Sequence, residues 1–466
     1  MSDILTIIKS RLKDKWIIGC DSEDFYKLTI NYLNQFIDIK QNTRNPKIIL
    51  VKDNNNLEFL SAFLASIITN SHVFLCDQRW QEKEWQQVLN LVQPNLIIGI
   101  DYFNKIDANE TRPLTAGFQN KLSLPDQNLI MIPTGGTSGK IRFAIHTWDT
   151  LSASVEGFAN FFQVEKVNSF CVLPLYHVSG LMQFTRSFLT KGKIIIYPYS
   201  DLKKGIMPSI KIQDFFISLV PTQLQLLLTL TPHFLSQFKT ILLGGAPPWN
   251  SLLETARKHH LNLSPTYGMT ETASQVVTLK PQDFLQGNNS TGQVLPHAKI
   301  TISKEQNLLE IKAKSLFFGY YPNYQQQQQI ITDDLGYVDN EEYLYILGRN
   351  SQKIITGGEN VFPKEIEDII LETNLVQDVC VIGVADSQWG EVVTAIYVPE
   401  DVHIDVNIIR AMIKQQLSPV KQPKYWIQVE KLPRNQQGKL NYQTLRKIAA
   451  KHLNQYNENS KAGTSN

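Results

Sequence analysis

The chain has 466 residues, which suggests about three domains of roughly 150 residues, or one large domain with a smaller companion. Hydrophobic residues make up 42% and charged residues 19%, enough apolar material for a sizeable core, so a disordered or collagen-like chain is excluded. Basic and acidic side chains number 45 and 43, a net charge of +2 that implies no nucleic-acid partner.

The first sixteen residues carry charges throughout and have no apolar h-region, so they do not read as a signal peptide. No apolar run approaches the roughly 18 residues needed to span a bilayer. A cytoplasmic protein with no membrane insertion is expected. Cys20, Cys76, Cys171 and Cys380 are scattered, with no CxxC pair and no Cys/His cluster at zinc spacing. They read as buried free thiols in a reducing compartment.

Along the chain, strand-like runs at 47–51, 72–76, 96–100, 129–132, 170–173, 193–197, 215–220 and 240–243 alternate with helical stretches such as 57–69, 147–162 and 221–230. Continuous β-rich runs separated by helices predict parallel sheets covered on both faces. Thr147 has the place and chemistry of an N-cap. After about residue 300 the runs at 299–303, 307–313 and 342–347 are shorter and more polar, which predicts a β-meander or small barrel. The five-glutamine run within 324–330 reads as a solvated loop. From about residue 350 a third pattern appears: helix 363–372, strands 376–385 and 391–398, helix 405–417, strand 425–429 and helix 441–453. The expected fold class is therefore α/β. A large N-terminal domain over 1–349 has parallel sheets covered by helices plus a small β-barrel-like part. A small, mobile α+β C-terminal domain covers 350–453, and residues 454–466 form a disordered tail.

Six segments carry chemistry. The first, 134-TGGTSGK-140, follows a strand; its glycines and hydroxyls suit phosphate oxygens, although an ordinary polar turn has the same composition. It is not a Walker A motif, because Thr134 stands where that motif needs Gly, and Ile141 follows the lysine. The second, 243-LGGAPPW-249, is a strand end and Gly-Gly turn that lets a planar ligand approach the backbone, or is simply a loop. The third, 265-PTYGMTETASQ-275, places Glu271 as a hard oxygen ligand for Mg²⁺ or as a capping residue. The fourth, 332-TDDLGYVD-339, puts Asp334 at a turn, able to accept from ribose hydroxyls or to form an Asx turn. The fifth, 348–367, reads as a linker able to hinge, with Gly357 and Gly358 leading into a helix. In the sixth, 433-PRNQQGKLNY-442, Lys439 sits in an exposed-looking turn, as a phosphate partner or a solvated side chain.

In this order and at these spacings the six segments resemble the adenylate-forming superfamily of acyl-CoA synthetases, adenylation domains and luciferases, from about residue 129 to 440. The resemblance implies ATP and Mg²⁺ as cofactors, CoA as co-substrate and small-molecule partners. Thr134, Gly135, Gly136, Thr137, Ser138, Gly139 and Lys140 then match the phosphate-binding loop. Gly244, Gly245 and Ala246, with Tyr267 and Gly268, match adenine-side positions. Thr270 matches a residue on the α-phosphate and Glu271 the Mg²⁺-binding glutamate. Asp334 and Arg349 match the ribose-binding pair, Ser351 the hinge, Gly357 and Gly358 the pantetheine tunnel, and Lys439 the lysine of the first half-reaction. Two departures stand out. Ile141, Arg142 and Phe143 replace the usual Pro-Lys-Gly, and Asp333 replaces a frequent Gly.

Within the superfamily, 174-PLYHVSGLMQFTRSF-188 and 266-TYGMTETASQVVTL-279 look most like the branch that joins 2-succinylbenzoate to CoA in menaquinone and phylloquinone biosynthesis. That acid keeps a second carboxylate, which is costly to bury unpaired. Arg186 is the candidate partner, or else a surface helix arginine. His177 is expected at the thiol-entry side, or else as a core or surface histidine. Ser179, Gly180 and Ser274 are small enough to shape the ring site. Other carboxylic acids, or a carrier protein as acceptor, remain alternatives at this point, as does a non-catalytic nucleotide-binding protein that kept the fold.

Overall fold

The computed structural model describes residues 2–43, 46–52, 55–99, 125–135, 140–386, 389–434 and 440–462. Two sheets dominate the N-terminal part. One has five strands in the order Leu96–Ile98, Lys47–Lys52, His72–Asp77, Ile130–Gly135 and Ile141–His146. The first four are parallel and the last is antiparallel. The second has eight strands. Ile17–Ile18, Ile194–Ile196, Asn168–Cys171, Phe215–Leu219, Thr240–Leu243 and Leu263–Met269 run parallel, and Ser274–Thr278 and Gln293–Val294 return antiparallel.

Strands with apolar residues on both faces need cover on both faces, and the helices supply it. Asn56–Ile68 is buried continuously from Phe59 to Ile68, so it is a core helix packed between the first sheet and its neighbours. Trp148–Phe162 begins at Thr147, whose hydroxyl accepts from the Thr150 amide. The Val178–Leu189 helix is buried from Gly180 to Phe188, apolar and polar residues alike, so even its polar side chains face protein. Three of the four cysteines are buried and all are free.

Residues 298–349 form a four-stranded antiparallel meander, Ala298–Ile302, Leu308–Ala313, Ile330–Val338 and Leu344–Arg349. Among the described residues no ladder joins its first strand to its last, so this part is an open sheet, not a barrel. The final sheet comprises Ile354–Thr356, Glu359–Val361, Val376–Asp386, Gly390–Pro399 and Tyr425–Gln428. Its own apolar cluster includes Ile366, Ile370, Val381, Ala395 and Ile409. Helix Pro363–Glu372 packs beside it, and Pro at the first helical position costs no hydrogen bond. The last helix, Tyr442–Ala462, runs through most of the stretch expected to be a disordered tail. Its polar composition carries no apolar stripe from which a helix could be read. Among the described residues no helix is long and apolar enough to cross a membrane.

Candidate active site

The site residues cluster where the parallel strands end. Thr134 and Gly135 close the Ile130–Gly135 strand, and Ile141–His146 returns beside it as a hairpin. Gly136, Thr137, Ser138, Gly139 and Lys439 lie outside the described residues. The Thr134 hydroxyl is buried with no hydrogen-bond partner among the described residues, a donor held at the base of the loop. Lys140 is exposed at the loop's far end. The departure at 141–143 has a structural reason. Phe143 is fully buried and packs edge-on against Phe74, with ring centroids 5.3 Å apart. It anchors the returning strand that the loop springs from. Arg142 stacks over the Tyr320 ring at 4.2 Å, a cation–π contact.

Tyr320 is a candidate site residue that sequence reasoning missed. Its hydroxyl donates to Glu271 Oε1, so Arg142, Tyr320 and Glu271 form one chain from the loop to the metal candidate. Burial and the neighbouring Glu271 carboxylate keep the Tyr320 phenol protonated by raising its pKa. Thr270 and Glu271 lie on the single turn Thr270–Thr272. Beneath it, His146 Nε2 donates to the Thr270 carbonyl at 2.7 Å, and its Nδ1 lies 3.0 Å from the Thr150 hydroxyl. Burial pushes the His146 pKa down to about 4, so the ring is neutral. His146 was also missed: a strand-end histidine carries no signature until the turn it supports is seen. Among the described residues no group of three acidic, His or Cys side chains could hold a metal. A lone Glu271 fits Mg²⁺ bound mainly through nucleotide phosphates and water.

On the next side, Tyr267 donates to Asp334 Oδ2 at 2.7 Å, and Arg349 Nε donates to Oδ1 at 3.2 Å. Asp334 is thereby fixed between three strands with lone pairs still free for hydroxyl donors. The expected turn at Asp334 is absent. The residue lies inside the strand Ile330–Val338, just before a bulge at Leu335 and Gly336. Apolar alternation is too weak in 332-TDDLG-336 to betray a strand. Gly244 faces the Thr266 hydroxyl closely, Gly245 has φ +83°, and Ala246 is half-buried. At Gly268 a side chain would run into the backbone of Ser274 and Gln275.

Ser274 is a candidate for the acid's ring site. Ala273 and Ser274 have φ of +50° and +98°, a conformation that L-residues rarely adopt. The turn is held by Thr272, whose hydroxyl donates to the Ser274 carbonyl at 2.6 Å. It aims Ser274 Oγ and Gln275 Oε1 at Arg186 Nη2, each 3.0 Å away. Arg186 is 2% exposed, so it is not a surface helix arginine. Its guanidinium lies 4.2 Å over the Phe158 ring, its Nε has no partner, and among the described residues no carboxylate pairs with it. Burial alone lowers its pKa to about 9, and it still carries its charge at neutral pH.

His177 is the residue just before the Val178–Leu189 helix, its ring 4.1 Å from that of Tyr176. Tyr176 donates to Asp77 Oδ2 at 2.6 Å and accepts from Arg79 at 2.7 Å, which ties this loop to the end of the His72–Asp77 strand. The Ser179 carbonyl accepts from Gln183. Gly180 lets the helix approach the backbone of Leu173 and Pro174.

Gly357 and Gly358, with φ of +58° and +85°, form the two-residue turn between Ile354–Thr356 and Glu359–Val361. Both torsions match the type I′ hairpin turn. At the junction, Asp333 takes a task that its sequence did not assign. Its Oδ1 accepts from the Ser351 amide at 3.1 Å, and its other oxygen takes the Ser351 hydroxyl.

Comparisons with known proteins agree with this geometry. The AMP-binding enzyme family matches residues 33–315, and the AMP-binding enzyme C-terminal domain matches 365–439. A 2-succinylbenzoate–CoA ligase from Listeria monocytogenes serotype 4b (strain F2365) is 35% identical over 317 residues, 66% of this chain and 67% of the relative. The enzyme of that name from Bacillus subtilis (strain 168) is 28% identical over 391 residues, 80% of this chain and 77% of the relative. Among solved structures, o-succinylbenzoate CoA synthetase from Bacillus subtilis in complex with the acyl-adenylate intermediate superposes with a TM-score of 0.76. It is 24% identical and covers 94% of this chain and 97% of its own. The chain therefore belongs to the AMP-binding enzyme family, the adenylate-forming enzymes.

Proposed function

We propose that this enzyme joins 2-succinylbenzoate to CoA at the expense of ATP, releasing AMP and pyrophosphate, as a step of menaquinone or phylloquinone biosynthesis. In the first half-reaction a carboxylate attacks the α-phosphorus and pyrophosphate leaves. In the second, the CoA thiol displaces AMP from the acyl-adenylate. The ring carboxylate of 2-succinylbenzoate is hindered by its ortho substituent, so the aliphatic carboxylate is the one activated. The observation that carries the choice of acid is Arg186, a buried cation with an unused N–H and no carboxylate partner among the described residues. A fatty or simple aryl acid has no use for it, whereas a second carboxylate satisfies it by charge-assisted hydrogen bonds.

Charge builds on the phosphoryl oxygens during the first step, so fixed cations and dipoles carry the catalysis. Lys439, Thr270, the Thr134 hydroxyl and the loop amides would supply them. Glu271, aligned by Tyr320, would hold Mg²⁺, which neutralises phosphate charge when bound. The Asp334 carboxylate would accept from the ribose, with Arg349 beside it. Rotation of the C-terminal domain about Ser351 would then replace Lys439 by the Gly357–Gly358 turn for the second step, with His177 at the thiol's entrance.

The test is a pyrophosphate-release screen over a panel of carboxylic acids, with and without CoA. 2-Succinylbenzoate should be the best substrate, and free CoA should accept the acyl group. Lys439→Ala should slow adenylate formation by about 100-fold or more. A preformed acyl-adenylate should still react with CoA on the same variant. Equal loss in both half-reactions would contradict the rotating domain.

A further inference from the structure

We infer that His297 is a second hydrogen-bond donor to the non-reacting carboxylate of the acid, working beside Arg186. His297 lies between the strands Gln293–Val294 and Ala298–Ile302 and is 8% exposed. Among the described residues neither of its ring nitrogens has a hydrogen-bond partner. Buried polar side-chain atoms are nearly always paired, so an imidazole with both nitrogens unmet is exceptional. Its position is fixed through the backbone, where its carbonyl accepts from the Lys314 amide at 3.0 Å.

Room for the ring is made by a neighbouring helix. Gly157 sits in the interior of Trp148–Phe162, and a Cβ there would run into the His297 ring. A mid-helix glycine is about 1 kcal/mol less favourable than alanine, so the helix accepts a local penalty to admit the imidazole. The next residue, Phe158, lies under the Arg186 guanidinium. One helical turn thus borders both groups. Burial pushes the His297 pKa down to about 4, and the Arg186 and Lys314 charges add to this. The ring is neutral at pH 7 and offers one N–H. A neutral donor suits a carboxylate whose charge Arg186 already balances: it satisfies a second lone pair and adds no buried charge. The two unmet donors, Arg186 Nε–H and the imidazole N–H, match the two oxygens of one carboxylate.

This inference rests on the proposed substrate, and the test separates the two. Steady-state kinetics are measured with 2-succinylbenzoate and with 4-oxo-4-phenylbutanoate, the same acid without the ring carboxylate. His297→Leu should raise the KM for 2-succinylbenzoate about tenfold or more. Its KM values for ATP and for 4-oxo-4-phenylbutanoate should stay within about twofold of the parent's, because the change removes only a contact to the ring carboxylate. His297→Gln, which keeps an N–H, should recover most of the loss. Gly157→Ala, which leaves His297 in the chain but displaces its ring, should raise the same KM and serves if His297→Leu fails to fold. An unchanged KM, or an equal rise for both acids, would overturn the role of His297 and leave the substrate reading intact. A parent enzyme that releases no pyrophosphate with 2-succinylbenzoate would overturn both.

Discussion

The two ends of the site are built in opposite ways. Around the residues proposed for the nucleotide the charged groups are hydrogen-bonded or stacked, Asp334 with Tyr267 and Arg349, Glu271 with Tyr320, Arg142 with the Tyr320 ring, and among the described residues only the Thr134 hydroxyl named above is unmet there. At the acid end, Arg186 Nε and both His297 nitrogens are buried and unmet. The nucleotide end is thus preorganised, and its hydrogen bonds fix geometry at no cost when the ligand binds. If the acid binds here as proposed, only a ligand with matching acceptors recovers the desolvation of these three nitrogens. An acid lacking the second carboxylate leaves them unpaired, which is how a buried site gains selectivity of several orders of magnitude.

The contrast can be broken most sharply at Arg186. Arg186→Met keeps volume and stacking on Phe158 but removes the cation. The KM for 2-succinylbenzoate should rise by about 100-fold, the ATP KM should hold, and the melting temperature should fall only modestly, because loss of the hydrogen bonds to Ser274 and Gln275 is offset by removal of a buried charge. A large drop in melting temperature would mean that Arg186 is structural. The nucleotide end should respond differently. Tyr320→Phe deletes the hydroxyl that orients Glu271 and should lower kcat about tenfold in pyrophosphate release, with the acid KM unchanged. The smallest effect is expected at the junction. Asp333→Gly removes two exposed hydrogen bonds to Ser351 and should change the single-turnover rate of acyl transfer to CoA by only a few-fold, since exposed hydrogen bonds fall at the low end of their range, about 0.5 kcal/mol each.

The division between legible and hidden features follows the same line. The parallel strands at 47–52, 72–77, 215–219 and 240–243 were plain, because apolar runs buried on both faces are written in composition. The glycine-rich and acidic segments were plain as motifs. Strand Ile330–Val338 was not, since half of it faces solvent and its polar half reads as a turn. Nor were the partners that set each motif. Tyr320, His146 and Asp333 act on residues 49, 124 and 18 positions away, and no local pattern records such a pairing. His297 was hidden for a further reason. Its signal is an absence of partners and a gap at Gly157, which only packing reveals.

The central claim is that this pocket selects a dicarboxylic acid through a buried cation. Its most direct test is the ratio of kcat/KM for 2-succinylbenzoate to that for 4-oxo-4-phenylbutanoate, in the parent enzyme and in Arg186→Met. The account predicts a ratio of about 100 or more that collapses toward unity in the variant, the size expected when a site built for a polar group meets an analogue lacking it. A parent ratio near one, or a large ratio that survives loss of the guanidinium, would contradict it.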